Sequence, residues 1–485
     1  MPRLTRAQRQ ELTRDAVLRA AGHEFAAHGY QDAKIDRIAA RADLTRGAVY
    51  SNFPSKRALY LAVLLDLLEH DTSPGRQNSL AGALGAFVRV WLERLPLAGD
   101  PPAAARLRLR SLAGVFEDDL GRATLAQVAR LEGVLLGLAL EQFPDEEEAG
   151  GQGTPGGGTA PRGGEAGGRD PRGEAAEGRA LRGWEPGQFR RPGESPGRFA
   201  REEAARGRRV RLAELVLTLL AGACQLAERA PGFGDPFDVI QASRHLAGLD
   251  LDDEWAPPYL DFTGAARQVW EPWRPPDGVR DELTGRPVDL GTDGVIVVLG
   301  TQRLEAAEEA VRAARPDDQV TVVVATADPA ELGRLVRLRV GDLAGCLRVL
   351  EVGVPLRLVL DEDLAVTSAV LGRAGGDGRG EDGRGEDGRG EDGRDGRGRV
   401  DHGRGDHGRG DHGRDDDGRG DDGRDDHGRD DHGSGDNGRV VGVGRPPDGG
   451  PEPDELEIAI RIHNGEIIAR AEGRGAAHAV AEVRP

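Results

Sequence analysis

Two stretches of low-complexity sequence limit how much of this chain can form a folded core. Residues 145–208 and 374–439 are rich in glycine and charged residues, and the second repeats short units of Gly, Arg, Glu, Asp and His. So few apolar side chains cannot bury enough surface to offset the entropy of ordering the backbone. We predict that both stretches are disordered, and that the rest of the 485 residues forms more than one domain.

The charge of the chain is unevenly distributed. The formal net charge is −19, which argues against nucleic-acid binding by the whole surface, but residues 1–60 hold 11 Lys/Arg against 6 Asp/Glu. The chain has no run of 18 apolar residues, and its N-terminal segment lacks the apolar core of a secretion signal. We therefore expect a cytoplasmic protein that does not contact a membrane. With Cys224 and Cys346 as the two cysteines, a disulfide scaffold and a four-cysteine zinc site are excluded.

The first 70 residues have the pattern of four helices. Apolar residues fall on one face of a helix over 10–28, and Gly29 provides its end. A short second helix over 35–39 is followed by a turn, and Thr45 can cap a third helix that reaches about Asn52. Pro54 and Ser55 then begin a longer apolar helix. Short helix, tight turn and short helix indicate a helix-turn-helix unit in a domain over 1–70.

The next part of the chain predicts a second all-α domain, over 71–248. A wide apolar stripe runs along one helix between residues 80 and 95. Further helices are predicted on either side of the insertion 145–208, over 103–118, 122–143, 209–229 and 236–246.

The pattern changes after residue 248, where a Trp- and Pro-rich linker over 249–290 leads to an α/β domain over 291–485. Helices are predicted over 303–314, 328–338 and 364–371, and strands over 295–299, 320–325, 346–352 and 356–360. The alternating residues 456–462 and the returning segment 467–471 flank Asn464-Gly465, which predicts a hairpin with a type I′ turn.

Residues 42–56, which read Ala-Asp-Leu-Thr-Arg-Gly-Ala-Val-Tyr-Ser-Asn-Phe-Pro-Ser-Lys, resemble the TetR family of bacterial regulators. Phe25, Gly29-Tyr30 and Ile38-Ala39 fall in register with the same family. The resemblance implies that Thr45, Arg46 and Gly47 open the recognition helix against base edges. It also implies that Tyr50, Asn52 and Lys56 contact phosphates, a division of labour that suits a short helix entering the major groove.

Two positions depart from the family pattern. Lys34 stands where a threonine is usual at the start of the second helix, and Asp43 stands where the turn usually has glycine. Lysine loses a helix cap but provides a cation for a DNA phosphate, so Lys34 joins the predicted DNA-binding residues. Aspartate tolerates the left-handed turn conformation at some strain.

The resemblance further implies a homodimer whose two helix-turn-helix units read a pseudo-palindromic DNA operator. Residues 71–248 would form the effector and dimer domain, with the helices of 209–246 pairing across the dimer. Phe87, Trp91 and Phe116 are then candidates to line an apolar pocket for a small-molecule effector. A ligand-responsive repressor in the bacterial cytoplasm, associated with the nucleoid, is the main hypothesis.

Two other classes of function stay open. Residues 290–372 with 455–473 weakly resemble a thioredoxin-like domain, but Thr301-Gln302-Arg303-Leu304 stands where such domains carry Cys-x-x-Cys, and a generic α/β domain is an equally good interpretation. A regulator whose C-terminal lobe is an enzyme or a redox sensor, with Cys346 in a buried strand, is the alternative. A DNA-organising protein without an effector is the third class.

Catalytic and metal-binding motifs are not found in the sequence. His23 and His28 are five residues apart, so they do not form the HExxH pair of zinc proteases and are expected on a helix surface. The histidines of the repeat lie beside aspartates, but no loop fixes a geometry for a metal ion. We found no pair of nucleophile and base, so the chain is predicted to be no enzyme and to carry no cofactor and no metal.

Overall fold

The computed structural model describes residues 5–68, 75–96, 102–144, 198–249, 251–372 and 452–484, except positions 231, 233, 252–254, 256 and 258. The repeat 374–439 and residues 145–197 of the insertion lie outside the described residues, and so does the prediction that they are disordered. For residues 198–208 that prediction is wrong, because they form the first turns of the helix Arg198–Arg229.

The N-terminal half of the described chain is helical. Its helices are α1 (Arg6–Asp32), α2 (Ile35–Arg41), α3 (Arg46–Asn52), α4 (Lys56–Asp66), α5 (Leu80–Leu92), α6 (Pro102–Arg108), α7 (Asp119–Leu140), α8 (Arg198–Arg229) and α9 (Pro236–Leu246). The predicted stop at Gly29 is a kink inside α1, where Gly29 has a φ of 73°. The helix predicted over 103–118 is wrong beyond Arg108, because Arg110 and Gly114 adopt left-handed backbone conformations that end it.

The C-terminal half is a six-stranded mixed sheet with helices. The strands are β1 (Arg267–Pro272), β2 (Gly294–Gly300), β3 (Gln319–Ala325), β4 (Leu356–Asp361), β5 (Glu457–His463) and β6 (Glu466–Glu472), in the order β1-β6-β5-β2-β3-β4. β2, β3 and β4 are parallel, whereas β5, β6 and β1 pair antiparallel. β1 comes from the predicted linker and forms one edge of the sheet.

The helices of this half are α10 (Ala306–Ala313), α11 (Arg334–Leu347), α12 (Ala365–Val370) and α13 (Ala476–Ala481). A five-residue π-helical segment, Pro329–Gly333, leads directly into α11. The hairpin between β5 and β6 confirms its prediction, since Asn464 and Gly465 both have positive φ, as a type I′ turn requires. The α/β fold is thus confirmed, while a thioredoxin-like identity stays a prediction.

The strand predicted over 346–352 is wrong. α11 continues to Leu347, so Cys346 is buried on a helix rather than in a strand. The apolar residues Val336, Val340, Leu343 and Leu347 recur at helical spacing. This periodicity favours a helix as far as Leu347, although the short apolar run that begins at Cys346 also fits a strand.

Apolar residues of the described ranges form three buried clusters. One lies on one face of the sheet, and a second joins the other face to the helices α5, α7, α8 and α9. The third is the core of α1 to α4, and it includes three leucines from 329–347, namely Leu332, Leu335 and Leu338. The α/β part of the chain therefore contributes directly to the core of the N-terminal helices.

Two helical segments, Asp119–Leu140 and Arg209–Arg229, are long and apolar enough to cross a membrane by length and composition. Within the fold, 67% of the most apolar 18-residue stretch of the first segment and 33% of that of the second are buried. Core helices of soluble proteins pass the same test, so these segments are weak evidence for a membrane span.

Candidate nucleic-acid interface

The helix-turn-helix is held by a compact apolar core beneath α2 and α3. Phe25 from α1, Ile38 from α2 and Phe53 after α3 are each fully buried. The turn between the two helices is closed by the backbone N–H of Leu44, which donates to the carbonyl of Ala39. Burial of these apolar faces fixes the angle at which α3 is presented.

The residue types of the turn explain its conformation. Asp43 has a φ of 56°, the left-handed conformation that aspartate tolerates better than most residues. Thr45 caps α3, because its side-chain oxygen accepts a hydrogen bond from the backbone N–H of Ala48 at 3.2 Å. The predicted helix start at Thr45 is confirmed, and the Thr45 hydroxyl is the acceptor of this cap.

Helix α3 turns one face inward and presents the other to solvent. Val49 is 1% exposed, whereas Tyr50 is 37% exposed and the side chain of Arg46 is 62% exposed. The guanidinium of Arg46 lies 5.6 Å from the Tyr50 ring and 3.7 Å from a carboxylate oxygen of Asp36. Gly47 is also exposed beside Arg46. The first turn of α3 therefore offers one long cation on an open surface.

The side chains of the remaining predicted DNA-binding residues differ in their exposure and in their contacts within the chain. Lys34 is exposed, and its side chain makes no cap to α2. The side-chain amide of Asn52 donates to the carbonyl of Ala48 at 2.8 Å. Lys56 is half-buried: its ammonium donates to the Gln31 carbonyl at 2.9 Å and lies 4.9 Å from the Tyr30 ring. Burial also lowers the pKa of Lys56.

Glu24 anchors the start of α2 and was not singled out by the sequence for this role. Its carboxylate is 2% exposed and accepts hydrogen bonds from the Lys34 backbone N–H at 3.0 Å and from Arg37 at 2.6 Å. Burial alone would raise the pKa of Glu24, but these two donors hold it below its ordinary value. His23 and His28 lie on the surface of α1, as predicted.

The segment between α3 and α4 is fixed by the α/β part of the chain, a contact that the sequence did not predict. Glu331 accepts a hydrogen bond from the Ser55 hydroxyl and pairs with Arg57 at 2.9 Å. Arg57 also pairs with Asp118 at 2.6 Å. No pattern within the first 70 residues indicates a partner so distant in sequence.

A cavity of about 710 Å³ lies between the helical domain and α11 of the α/β part. Trp91, one of the three predicted effector residues, lines it, together with residues of α7, α8 and α11. Phe87 and Phe116 are buried but are not among its lining residues. Among the described residues, no cluster of three or more His, Cys, Asp or Glu side chains could hold a metal ion.

Residues 17–63 match the family described as bacterial regulatory proteins, tetR family. Over 77 residues the chain is 43% identical to the HTH-type transcriptional regulator SrpR of Pseudomonas putida, covering 15% of this chain and 36% of SrpR. It is likewise 43% identical over 77 residues to the uncharacterized HTH-type transcriptional regulator TtgW, also of Pseudomonas putida, covering 15% of this chain and 57% of TtgW.

The chain thus spans between about a third and somewhat over half the length of these relatives. The family match ends at residue 63 and gives no identity to the α/β domain. With the capped α3 and the buried core beneath it, the N-terminal part of this chain is a helix-turn-helix domain of the TetR family.

Proposed function

We propose that the protein is a bacterial transcriptional regulator that binds a pseudo-palindromic DNA operator as a homodimer and responds to a small-molecule effector. The observation that carries the proposal is the exposed first turn of α3, with Arg46 on the solvent side of a rigidly held helix. A side chain of this length in that place can donate two hydrogen bonds to a guanine in the major groove.

The charge distribution supports the same function. Residues 1–60 are net basic in a chain whose formal charge is −19. The acidic remainder would be repelled by DNA, so phosphate contacts fall to the N-terminal domain. We include an intracellular location at the nucleoid in this proposal, because the DNA operator lies in the nucleoid.

The homodimer is supported by an exposed apolar surface on α8, α9 and the residues just after α9. Leu215 and Leu226 on α8 are 41% and 48% exposed, Phe237 on α9 is 60% exposed, and Leu249 is 41% exposed. Large apolar side chains that stand exposed on consecutive elements are typical of a surface that a partner covers. A second copy of the chain would place two recognition helices on one face of the DNA.

The proposal assigns no catalytic step, cofactor or metal to the chain. Its rival is a regulator whose α/β domain is an enzyme or a redox sensor, and no residue set described above favours that rival. The other competitor is a DNA-organising protein, which would coat DNA without regard to sequence.

A genome-wide footprint of the purified full-length protein tests the proposal. We expect a small number of protected sites, each with two inverted half-sites whose centres are about one helical turn apart. The Arg46→Ala variant should lose these sites, whereas Arg89→Ala, which removes an exposed arginine from α5, should keep them. Continuous protection without a shared sequence would favour the DNA-organising protein instead.

A further inference from the structure

The side chain of Arg57 connects three parts of the chain. Its guanidinium pairs with Glu331 of the segment Pro329–Gly333 at 2.9 Å, and with Asp118, the N-cap of α7, at 2.6 Å. The same guanidinium lies 4.8 Å from the centre of the Phe116 ring. Arg57 itself stands in the first turn of α4, the helix that follows the recognition helix. One side chain therefore joins the DNA-binding domain both to α7 and to the α/β part.

A guanidinium suits this bridging position. It is planar and carries its N–H donors in a fixed fork, so that two carboxylates can bind to different nitrogens. The Nη1 atom of Arg57 is the one paired with Glu331, and the Nη2 atom is the one paired with Asp118. Arg57 and Glu331 are largely shielded from water, whereas Asp118 is more exposed. The shielded pair is the less screened of the two, so it resists displacement more strongly.

The α/β part holds the start of α4 through further contacts. Ser55, the N-cap of α4, donates its hydroxyl hydrogen to Glu331 and accepts from the backbone N–H of Ala58. Arg334 donates to the carbonyl of Ala58 at 2.9 Å. The guanidinium of Arg334 also lies 5.7 Å from the ring of Phe53, the buried residue that follows α3. These contacts fix the start of α4 and the end of α3 together.

The far end of α4 is held by the same α/β helix, α11. Arg110 donates to the carbonyl of Leu67, the C-cap of α4, at 3.0 Å, and it pairs with Asp342 of α11. Leu335 and Leu338 of α11 are buried in the core of α1 to α4. Charged groups thus hold α4 at both ends, and α11 adds apolar side chains to the core of which α4 is a part.

A DNA-binding domain attached in this way cannot turn freely relative to the rest of its chain. A domain joined through one connection turns about it at little cost, because few contacts break. Here a turn would break the two ion pairs of Arg57 and the hydrogen bonds donated by Arg334 and Arg110. It would also disturb a closely packed shared core. The orientation of α3 in each chain is therefore fixed by the remainder of that chain.

A fixed orientation matters when two chains bind one operator. Each base pair inserted between two half-sites moves one half-site by about 3.4 Å along the DNA and turns it by about 35° around the axis. Two DNA-binding domains that turn freely can follow this shift, whereas two fixed domains fit one spacing. The spacing of the half-sites is then recognised by geometry, without a contact to the intervening bases.

We propose that Arg57, Asp118 and Glu331 are positioning residues that fix the separation of the two recognition helices and so restrict the protein to one spacing of half-sites. This inference rests on the proposed function, because it needs an operator with two inverted half-sites bound by two chains. The three side chains act through the position of α4, and with it of α3, and need no contact with a base.

The test compares operators that differ in the spacing of their half-sites. The operator that the full-length protein selects from a random pool is prepared at its selected spacing and with one or two base pairs inserted or removed at the centre. Fluorescence anisotropy measures the affinity for each DNA. We expect the wild type to bind the altered spacings roughly a hundredfold more weakly than the selected one. The ratio of the two affinities is the readout, since a uniform change in affinity cancels in it.

Two variants each remove the charge of one carboxylate. Glu331→Gln can still accept from Ser55, and Asp118→Asn keeps a good N-cap residue for α7, so both should fold. We expect each to lower the ratio roughly threefold to tenfold, because an altered spacing then breaks one ion pair fewer. Asp119→Asn removes the charge of the neighbouring, fully exposed carboxylate and should leave the ratio unchanged.

Melting curves establish that each variant is folded before its ratio is compared. A wild-type ratio in both Glu331→Gln and Asp118→Asn, or an equal fall in Asp119→Asn, would overturn the positioning role. Equal affinity of the wild type for all spacings would overturn it as well. If the two variants instead lose base preference within each half-site, the contacts only support the fold of α3. A wild type that selects no paired half-sites would refute the proposed function, and this inference with it, before any variant is compared.

Discussion

Arg57, in the first turn of α4, forms an ion pair of 2.9 Å with Glu331 of the α/β domain. Both side chains are partly shielded from water, at 24% and 16% exposed. An ion pair in such a position is worth more than one on an open surface. The helix-turn-helix domain is thus attached to the C-terminal half by a defined contact as well as by the chain itself.

Arg46 should contribute to sequence-specific binding. Arg46→Ala is expected to weaken operator binding roughly tenfold to a hundredfold and to relax discrimination at one base position, because the side chain stands exposed at the start of α3. Fluorescence anisotropy with operator and random DNA measures both effects. Equal losses on the two DNAs would contradict the role of Arg46, and Arg89→Ala is the matched control.

Lys56 should act on all DNA sequences alike. Lys56→Ala is expected to weaken operator and random DNA equally and to reduce the slope of log affinity against log salt by about 1. It should also lower the melting temperature, since the variant loses the hydrogen bond to Gln31 and the contact with Tyr30. An unchanged salt slope in a folded variant would mean that Lys56 has only a structural role.

Leu335, which lies on α11 of the α/β part, should stabilise the DNA-binding domain. Leu335→Ala removes a fully buried side chain from that core and is expected to cost about 2 to 5 kcal/mol of unfolding free energy. Hydrogen exchange should show faster opening of α1 and α4. Leu120→Ala, at an exposed position of α7, should change the stability far less, and protection of α1 that survives Leu335→Ala would contradict the shared core.

Glu309 should make the stability of the fold depend on pH. Burial raises its pKa to about 7 from an ordinary value of 4.5, although a hydrogen bond from Tyr259 opposes the rise. The folded state therefore holds this proton more tightly, and stability falls as the pH rises from about 4.5 through 7. In Glu309→Gln this loss should be smaller by about 1 to 3 kcal/mol between pH 5 and pH 8.

Urea unfolding at the two pH values checks this expectation. Glu466→Gln, at an exposed position on β6, is the control. If Glu309→Gln and the wild type lose the same stability over this range, Glu309 does not hold its proton near neutral pH.

Cys346 should be a slow-reacting thiol. Burial raises its pKa to about 11, although the contact of Arg94 with its sulfur opposes the rise. We expect thiol reagents to modify Cys346 slowly in the folded chain. We also expect peroxide treatment to affect operator affinity equally in the wild type and in Cys346→Ser. An operator affinity that switches with peroxide in the wild type and is constant in Cys346→Ser would favour a redox sensor.

Helix caps and turns, which form between residues close in sequence, made part of the fold predictable. Thr45 and Ser55 cap helices because each hydroxyl accepts from a backbone N–H three residues further on. Asn464 and Gly465 favour the type I′ turn because both residue types readily adopt a positive φ. These features depend on neighbours along the chain. Helical periodicity likewise indicated most helices of the first two domains.

Features that depend on distant partners were not predictable. Ser55 and Glu331, which form a hydrogen bond, are 276 residues apart in the sequence. No residue pattern in either segment identifies the other segment as its partner. The helix through Cys346 was mistaken for a strand because a short apolar run fits both. Trp91 lines the cavity, and the charged wall formed by Arg339 and Asp342 comes from another part of the chain.

Recognition of DNA through α3 by two symmetric chains is tested by selection from a random DNA pool with the purified full-length protein. We expect enrichment of an inverted repeat, bound by two chains per site, that Arg46→Ala no longer selects. A pool that stays random after repeated selection, or a single asymmetric site bound by one chain, would contradict this mode of recognition.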